Sequence, residues 1–328
     1  MYRFCLILIV LLGGAYAVNA QAPRHYVCYH TTSPLPDWQN IPWTEDFVDI
    51  EGAAKPIPLY RTRVKMQWDD TCLYVLAEME EPHIRGTLRQ RDTIIFHDND
   101  FEVFIDPDGD THQYYEIEIN ALNTVMDLFM VKPYRNGGQA MINWDAKGLR
   151  TAVRFNGTLN NAADKDSSWT VEMAIPFRAL AFYGRRSLVQ DGSTWRINFS
   201  RVQWQMDIID GQYIKKPRTP EYNWVWSPQG IINMHAPERW GYLQFSVQRP
   251  GVFKEPVVTA AVNELWDIYY RQKQYWEQHR YYAKNTEALG INSAAVIEGT
   301  TLQFSASIRE AGYITIINQE GKITSRHE

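Results

Sequence analysis

The stretch Asp100-Phe101-Glu102-Val103-Phe104-Ile105-Asp106, followed closely by Tyr114-Tyr115-Glu116-Ile117-Glu118-Ile119-Asn120, decides the fold class. Both segments alternate apolar and polar residues, and successive side chains of a β-strand point to opposite faces of its sheet. A turn-forming run, Pro107 to Asp110, separates them. The pattern therefore predicts two strands, and their pairing would collect three carboxylates on one face: Glu102, Glu116 and Glu118.

The same period-two pattern, broken by turn residues, extends from about residue 58 to residue 248. Many short strands with few helices between them are typical of an antiparallel sandwich or barrel. A parallel α/β sheet would need crossover helices, for which the sequence gives no signal. We therefore predict an all-β fold, an antiparallel β-sandwich of the immunoglobulin or jelly-roll type, over residues 21–250.

The character of the chain changes at Arg249-Pro250-Gly251. Apolar residues recur at helical spacing from Glu255 to about Leu289, which predicts one long helix. Two short strands are predicted after it, near Thr301 to Ile308 and Gly312 to Asn318. Residues 251–328 are thus expected to form a small C-terminal α+β extension.

The first residues predict export. Arg3 precedes the apolar run Phe4 to Leu12, and small residues follow it, so residues 1–20 are predicted to be a signal peptide cleaved after Ala20. The run of nine residues is too short for a membrane span, which needs roughly 20. We expect a secreted or periplasmic protein with no membrane insertion after cleavage.

Charge and cysteine content narrow the choice of partners. The chain has 38 acidic and 33 basic residues, and this excess of negative charge disfavours nucleic acid as a partner. Cys28 and Cys72 remain after signal cleavage, and an exported chain can join two such cysteines. A single disulfide and two buried free thiols both stay open.

The predicted carboxylate face suggests a ligand. Like charges that face each other across strands are destabilising unless a cation or polar ligand offsets them. The alternative is an ordinary solvated outer face. Paired carboxylates also allow a glycoside hydrolase, with Glu102 and either Glu116 or Glu118 as acid and nucleophile. Whether the chain is an enzyme is left open by the sequence, and noncatalytic binding is favoured.

The turn Asp106-Pro107-Asp108-Gly109-Asp110 carries carboxylates at alternate positions. Ca²⁺ prefers several oxygen ligands from such loops. The sequence therefore suggests calcium as a cofactor, although a simple polar turn is the alternative. The predicted ligands are Asp106, Asp108 and Asp110.

Aromatic residues are abundant, with 12 Trp and 19 Tyr. Their flat apolar faces with polar edges suit sugar rings, although β-sandwich cores also use many aromatics. Exposed loop aromatics are the better binding candidates. Four tryptophans are predicted in or beside loops, where core packing is the alternative: Trp144, Trp204, Trp224 and Trp226.

An ordered set of motifs, over about residues 24 to 248, resembles family 9 carbohydrate-binding modules. It comprises Trp68-Asp69-Asp70-Thr71, the Asp100 to Asp106 strand, Trp169 to Phe177, and Trp240-Gly241-Tyr242-Leu243. The resemblance is greatest to the family-9-like proteins of exported bacterial polysaccharide-use systems. It implies a sandwich that binds sugars, often with structural calcium.

In that family two aromatic rings clamp a sugar and a strand Glu hydrogen-bonds it. By resemblance, Glu102 matches this Glu and Phe96 matches one ring. Met234 and His235 occupy the stretch of the second ring, and Glu116 occupies the position of a family Arg. Trp224 or Trp226 is a hypothetical replacement for the second ring. The predicted carbohydrate-binding residues are Phe96, Glu102, Glu116, Glu118, Trp144, Arg201, Trp224, Trp226 and His235.

The sequence thus predicts noncatalytic binding of an oligo- or polysaccharide in polysaccharide utilisation. Besides a hydrolase, two alternatives stay open. One is a haem protein, with Met79, Met234 or His235 as axial ligand. The other is a structural protein of an envelope complex that docks to a protein partner through residues 251–328.

Overall fold

The computed structural model describes residues 22–33, 35–181 and 189–328, which form mostly β-structure. The predicted signal peptide, residues 1–20, lies outside the described residues. The strands are β1 (His25–His30), β2 (Val48–Asp49), β3 (Thr62–Trp68), β4 (Cys72–Glu80), β5 (Asp100–Asp106), β6 (Tyr114–Asn120), β7 (Val125–Met130), β8 (Ala140–Met141), β9 (Arg150–Asn156), β10 (Ser168–Pro176), β11 (Thr194–Gln203), β12 (Met206–Ile209), β13 (Gln212–Lys215), β14 (Tyr222–Val225), β15 (Gly241–Ser246), β16 (Val296–Gly299), β17 (Phe304–Glu310), β18 (Tyr313–Asn318) and β19 (Ile323–His327).

Helices are few in these ranges, as the sequence predicts. The α-helix α1 spans Thr259–His279. Short 3-10 helices lie at Ile95–His97, Tyr134–Asn136, Phe177–Leu180, Pro237–Arg239 and Glu287–Leu289. Within the described part of the chain, no helix has the length and apolar character that crossing a membrane requires.

The main sheet has the strand order β8-β7-β6-β5-β11-β15-β1-β3-β4-β10-β9, with β14 joined to β11 and β2. It curls so that its two halves enclose one core, which confirms the all-β sandwich-like fold. The pairing is antiparallel except at β1, which runs parallel to both β15 and β3. β1 lies between β15 and β3, and both of these strands run in the same direction as β1.

β5 and β6 both place their apolar residues toward the core. Phe101 and Val103 of β5, with Ile117 and Ile119 of β6, are fully buried in the main core. That core also contains large side chains from the far half of the sheet, such as Trp169 of β10. Burial of each such side chain stabilises the fold by about 1.5–3 kcal/mol.

The two cysteines are free thiols. Cys28 lies on β1 and Cys72 on β4, and both are buried. Burial raises the pKa of the Cys28 thiol well above its ordinary value. Of the two alternatives that the sequence left open, the structure therefore has free thiols rather than a disulfide.

Arg201 of β11 is a buried charge on the core side of the sheet. Its Nη2 lies 3.1 Å from Oε2 of Glu81, and both side chains are almost completely buried. The guanidinium also donates to Thr62 Oγ1 at 3.0 Å and to Gln203 Oε1 at 2.7 Å. These partners satisfy a charge whose burial would otherwise be very unfavourable.

We predict that Arg201→Met lowers the free energy of unfolding by about 3–5 kcal/mol, because Glu81 is left as an unpaired buried charge. Adding Glu81→Gln to this variant should recover much of the loss, since Gln is neutral but keeps an acceptor for Asn99 Nδ2, which Glu81 serves at 3.2 Å. Urea unfolding of the single and double variants measures both effects. A double variant no more stable than the single one would contradict this role.

The C-terminal extension contains α1 and a four-stranded antiparallel sheet of β16 to β19. Leu265, Ile268 and Tyr269 of α1 pack in a separate core with Phe304 and Ile317 of the sheet. This confirms the predicted α+β extension, but the sheet has four strands where two were predicted, and the helix is shorter than predicted. The helix ends at His279, because the next residue, Arg280, has a left-handed φ of 62° that breaks the helical path well before Leu289.

The extension docks on the sandwich through polar contacts around the 3-10 helix Tyr134–Asn136. Arg135 makes a two-pronged ion pair with Glu238, at 2.9 and 2.8 Å, and Tyr270 of α1 donates to the same carboxylate. Tyr269 donates to Asn136 Oδ1 at 2.9 Å. These bonds hold the turn after β7 between the main sheet and the extension.

Candidate functional site

The side of β5 and β6 that faces away from the core carries the predicted carboxylates. Strand register places Glu102 directly opposite Glu118 on β6 and opposite Ser200 on β11. Glu116 lies opposite Phe104. The prediction that Glu102, Glu116 and Glu118 share one sheet face is therefore confirmed.

Asp100, Glu102 and Glu118 form what we call the acidic cluster. Each offers a carboxylate oxygen, and these oxygens lie within 4.8 Å of one another. All three side chains are buried, as is Glu116 beside them. The alternative of a solvated outer face is therefore wrong.

Two chain segments cover the acidic cluster and its surroundings. The segment around the 3-10 helix Ile95–His97 lies over Glu118, whose Oε2 accepts a hydrogen bond from the Phe96 backbone N–H at 3.1 Å. The segment before β15 contributes Met234 and Trp240, which pack with Phe104 and Ile95 in a small apolar cluster. This cover removes water from the carboxyls.

Burial and mutual proximity change the protonation of these carboxyls. Burial, followed by the neighbouring Glu118, raises the pKa of Glu102 to about 8. Burial, followed by Glu102, raises the pKa of Glu116 to about 8. Burial also raises the pKa values of Asp100 and Glu118 well above the ordinary range. The protonated form of Glu102 and Glu116 is therefore favoured at neutral pH, and a protonated carboxyl can donate a hydrogen bond.

The surroundings of the acidic cluster bring little positive charge to it. His235 Nε2 lies 3.6 Å from Glu116 Oε2, but burial lowers the pKa of His235 to about 4, so the ring is neutral at pH 7. Its Nδ1 is hydrogen-bonded to the Tyr114 hydroxyl at 2.9 Å. Among the described residues, no Lys or Arg lies within ion-pair distance of these carboxyls.

These pKa values predict a pH-dependent stability. Folding raises the pKa values of Glu102 and Glu116. The stability that these two groups add to the folded state is therefore complete below about pH 4.5 and is lost as the pH rises toward 8. In EDTA, the free energy of unfolding should be lower at pH 8 than at pH 5. Denaturant unfolding of Glu102→Gln should show a smaller difference, while Glu310→Gln, exposed on β17, should match the unmodified chain. An unchanged difference in Glu102→Gln would contradict the assignment.

Two aromatic rings lie at the rim of this face. Phe96 is half-buried, and its carbonyl accepts a hydrogen bond from Trp204 Nε1 at 2.8 Å. Tyr134 is 47% exposed, and its ring meets that of His235 edge to face, with centroids 4.5 Å apart. Burial first, and then the nearby Glu116 and Glu118, raise the pKa of Tyr134. We call Phe96 and Tyr134 the aromatic rim.

Sequence reasoning missed Tyr134. A usable signal was present, because Tyr134 lies in the turn that directly follows β7, and β7 is the next strand after the two carboxylate strands. Register pairs Met130, the last residue of β7, with Tyr114, which contacts His235. The folded turn Tyr134–Asn136 is what brings the ring back over this face.

The structure does not bring all predicted sugar-binding residues together. Phe96, Glu102, Glu116, Glu118 and His235 share the outer face. The remaining ones are buried on the core side, where their proposed role in sugar binding has no structural support and stays a prediction: Trp144, Arg201, Trp224 and Trp226.

The contacts of these core-side residues are structural. The Trp144 ring packs 4.9 Å from that of Tyr115. Trp224 is in β14 rather than in a loop, directly opposite Arg201, and Trp226 Nε1 donates to Glu45 Oε2 at 3.0 Å. The loop prediction for Trp224 is wrong because its aromatic-rich segment forms a strand whose rings turn inward. Met79, a haem-ligand candidate, is also buried in the main core.

The predicted calcium ligands do come together after β5. Asp106, Asp108 and Asp110 each offer an oxygen within 4.8 Å of the others. Asp106 also accepts backbone N–H groups from Gly109 at 3.1 Å and Thr111 at 2.8 Å, and Lys322 Nζ lies 3.2 Å from Asp110 Oδ2. The oxygen donors suit calcium, but a lysine already balances part of their charge. Calcium here stays a prediction.

Comparison with known proteins relates the part of the chain that carries this site to a described family. A family model described as carbohydrate family 9 binding domain-like matches residues 36–194. This part of the chain, just under half of its length, is therefore similar to that family. The match contains β2 to β10 and therefore Phe96, Tyr134 and the whole β5–β6 carboxylate face. Among curated proteins nothing matches the chain.

Solved structures resemble this family 9-like chain at low sequence identity. A candidate carbohydrate-binding protein from Bacteroides uniformis ATCC 8492 is 16% identical, with a TM-score of 0.52, over 69% of this chain and 100% of that one. A family 9 carbohydrate-binding module from Caldicellulosiruptor kristjanssonii, solved with glucose, is 15% identical, with a TM-score of 0.44, over 70% of this chain and 100% of that one. The structure from Bacteroides uniformis supports the sandwich-like fold described above.

Proposed function

We propose that the chain binds a saccharide, without cleaving it, on the outer face of β5 and β6. The observation that carries this proposal is the position of the aromatic rim beside the buried carboxyls of Glu102 and Glu116. The family to which residues 36–194 match is described by carbohydrate binding. The relative from Caldicellulosiruptor kristjanssonii was solved with glucose and with cellotriose.

Each part of the face suits one feature of a sugar. The rings of Phe96 and Tyr134 offer apolar surfaces for the C–H face of a pyranose. Glu102 and Glu116 are only 5% and 4% exposed, so a sugar hydroxyl can meet them only at their outer edge. A protonated carboxyl both donates and accepts, as a sugar hydroxyl does. In this proposal Tyr134 takes the place of the second clamp ring.

Binding is favoured over hydrolysis by the burial of the carboxyls. A glycoside hydrolase needs two carboxyl groups that flank the scissile bond, with room for a water molecule to attack. Glu102, Glu116 and Glu118 are each at most 5% exposed, so a glycosidic bond could not lie between them without a large opening of the cover. An assay for released reducing sugar, run with the binding experiments, tests this preference.

The wider setting is also part of the proposal. We infer that residues 1–20 direct export to the periplasm or the exterior, and that the chain serves polysaccharide utilisation there. Calcium at Asp106, Asp108 and Asp110 would stiffen the turn between β5 and β6, which carries the face. We further propose that residues 251–328 bind a protein partner through the side of the extension that faces away from the sandwich.

Removal of either rim ring should weaken binding. A glycan array with the chain from residue 21 to 328 identifies a ligand, and calorimetry then gives its affinity. We expect Phe96→Ala and Tyr134→Ala each to lower affinity about tenfold, equal to about 1.4 kcal/mol, because a stacked face is lost.

The matched control is Phe155→Ala, which removes a 40% exposed ring from β9 in the other half of the sheet. It should leave affinity unchanged. Wild-type affinity in both rim variants, or an equal loss in the control, would reject the rim as the binding site. Folded protein that binds no glycan would reject the function itself.

A further inference from the structure

The acidic cluster and its surroundings contain buried polar atoms that have no hydrogen-bond partner. Asp100 is fully buried, and neither of its carboxylate oxygens has a hydrogen-bond partner. The backbone N–H of Val202 lowers the pKa of Asp100 but does not meet hydrogen-bond geometry. Because buried polar groups are nearly always satisfied in native structures, these carboxylate oxygens call for a partner.

A second group outside the cluster shows the same feature. Ser200 of β11 lies opposite Glu102, and its hydroxyl is completely buried. It is directed at Glu102 closely enough to lower the pKa of that carboxyl, yet it has no partner at hydrogen-bond geometry. Glu116 Oε2 is also without a hydrogen-bond partner. Oxygen atoms from three strands thus converge on one region and leave it unsatisfied.

The spacing of the cluster suits a single ion. Ca²⁺ binds oxygens at about 2.3–2.6 Å, so two oxygens on one ion are at most about 5 Å apart. Asp100, Glu102 and Glu118 each offer an oxygen within 4.8 Å of the others. One ion can therefore contact all three carboxylates, and Ser200 Oγ and Glu116 are the next available donors.

We propose that Asp100, Glu102 and Glu118 bind a hard divalent cation, of which Ca²⁺ is the best fit. The donor set contains only oxygen atoms, which favours Ca²⁺ or Mg²⁺ over the metals that prefer nitrogen or sulfur. The near-ideal octahedron of Mg²⁺, which keeps several waters, fits poorly in a covered site. The cation takes the place of the protons that otherwise keep these carboxyls neutral.

This cation site differs from the calcium loop at Asp106, Asp108 and Asp110. The loop carboxylates have Lys322 and backbone N–H groups as partners, whereas Asp100 has none at hydrogen-bond geometry. The inference also does not depend on saccharide binding. The cation site is connected to the aromatic rim through Glu118, which accepts a hydrogen bond from the Phe96 backbone N–H. An ion bound to Glu118 would therefore hold the backbone of Phe96 in position.

The test is a calorimetric titration of EDTA-treated, dialysed chain (residues 21–328) with CaCl₂ and, separately, MgCl₂ at pH 8. The unmodified chain should bind Ca²⁺ at this site. Asp100→Asn and Glu118→Gln should each weaken that binding by about tenfold or more, since a charged ligand becomes neutral. Asp108→Asn alters only the separate calcium loop and should leave the Ca²⁺ binding of Asp100, Glu102 and Glu118 unchanged. Glu310→Gln, which changes an exposed carboxylate on β17, is the matched control that should leave all Ca²⁺ binding unchanged.

Ser200→Ala keeps the test decisive if a carboxylate variant does not fold, because it removes one hydroxyl from a position that has no hydrogen-bond partner. It should weaken Ca²⁺ binding by about threefold or more, because an oxygen donor beside Glu102 is lost. Wild-type affinity and stoichiometry in Ser200→Ala and in any folded Asp100→Asn would overturn the proposal. Ca²⁺ binding lost only in Asp108→Asn would assign the ion to the loop and would overturn it as well.

Saccharide titrations of the same variants in EDTA separate the two proposals. Glycan binding by an Asp100→Asn variant that has lost Ca²⁺ supports the cation site as a distinct feature. If the unmodified chain binds a glycan but neither Ca²⁺ nor Mg²⁺, the cation inference is wrong and the proposed function stands. If the unmodified chain binds Ca²⁺ at the acidic cluster but no glycan, the proposed function is wrong and the cation inference stands.

Discussion

The burial of both faces of β5 and β6 is the constraint on which the rest of this structure depends. One face supplies Phe101, Val103 and Ile117 to the main core. The other face carries carboxyls, and the segments around Ile95 and Trp240 cover it. Water is therefore excluded from groups that are normally charged, and the folded state must keep them protonated or give them a ligand. The pH response and the proposed ligands are consequences of this one arrangement.

The C-terminal extension supports the same face from the side. The turn that carries Tyr134 also carries Arg135 and Asn136, and these two bond to Glu238 and to Tyr269 of the extension. Gly321 in the extension accepts a hydrogen bond from Thr111, in the turn between β5 and β6, at 2.6 Å. The extension thus fixes turns at one end of the carboxylate strands. Its position explains how a segment distant in sequence can hold the turn that carries Tyr134 in place.

Strand alternation predicted the shared face of Glu102, Glu116 and Glu118 because side-chain direction in a strand follows from sequence spacing alone. The same rule separates Arg201 from this face, since its neighbour Ser200 is the residue opposite Glu102. The buried tryptophans were harder to place. Trp224 and Trp226 flank turn residues, and only the pairing of β14 with β11 turns the Trp224 ring toward the core. The end of α1 was missed because it depends on the left-handed Arg280, a residue type that gives no such signal.

The sequence by itself determined the all-β class, the core-facing set of β5 and β6, and the shared face of the three glutamates, because these follow from local periodicity. The tertiary structure alone decided that this face is covered rather than solvated, that Tyr134 approaches it, and that Asp100 and Ser200 lack partners there. These features depend on contacts between segments far apart in the chain, such as Phe96 with Glu118 and Tyr114 with His235. Local spacing contains no information about which distant segment will cover a given face.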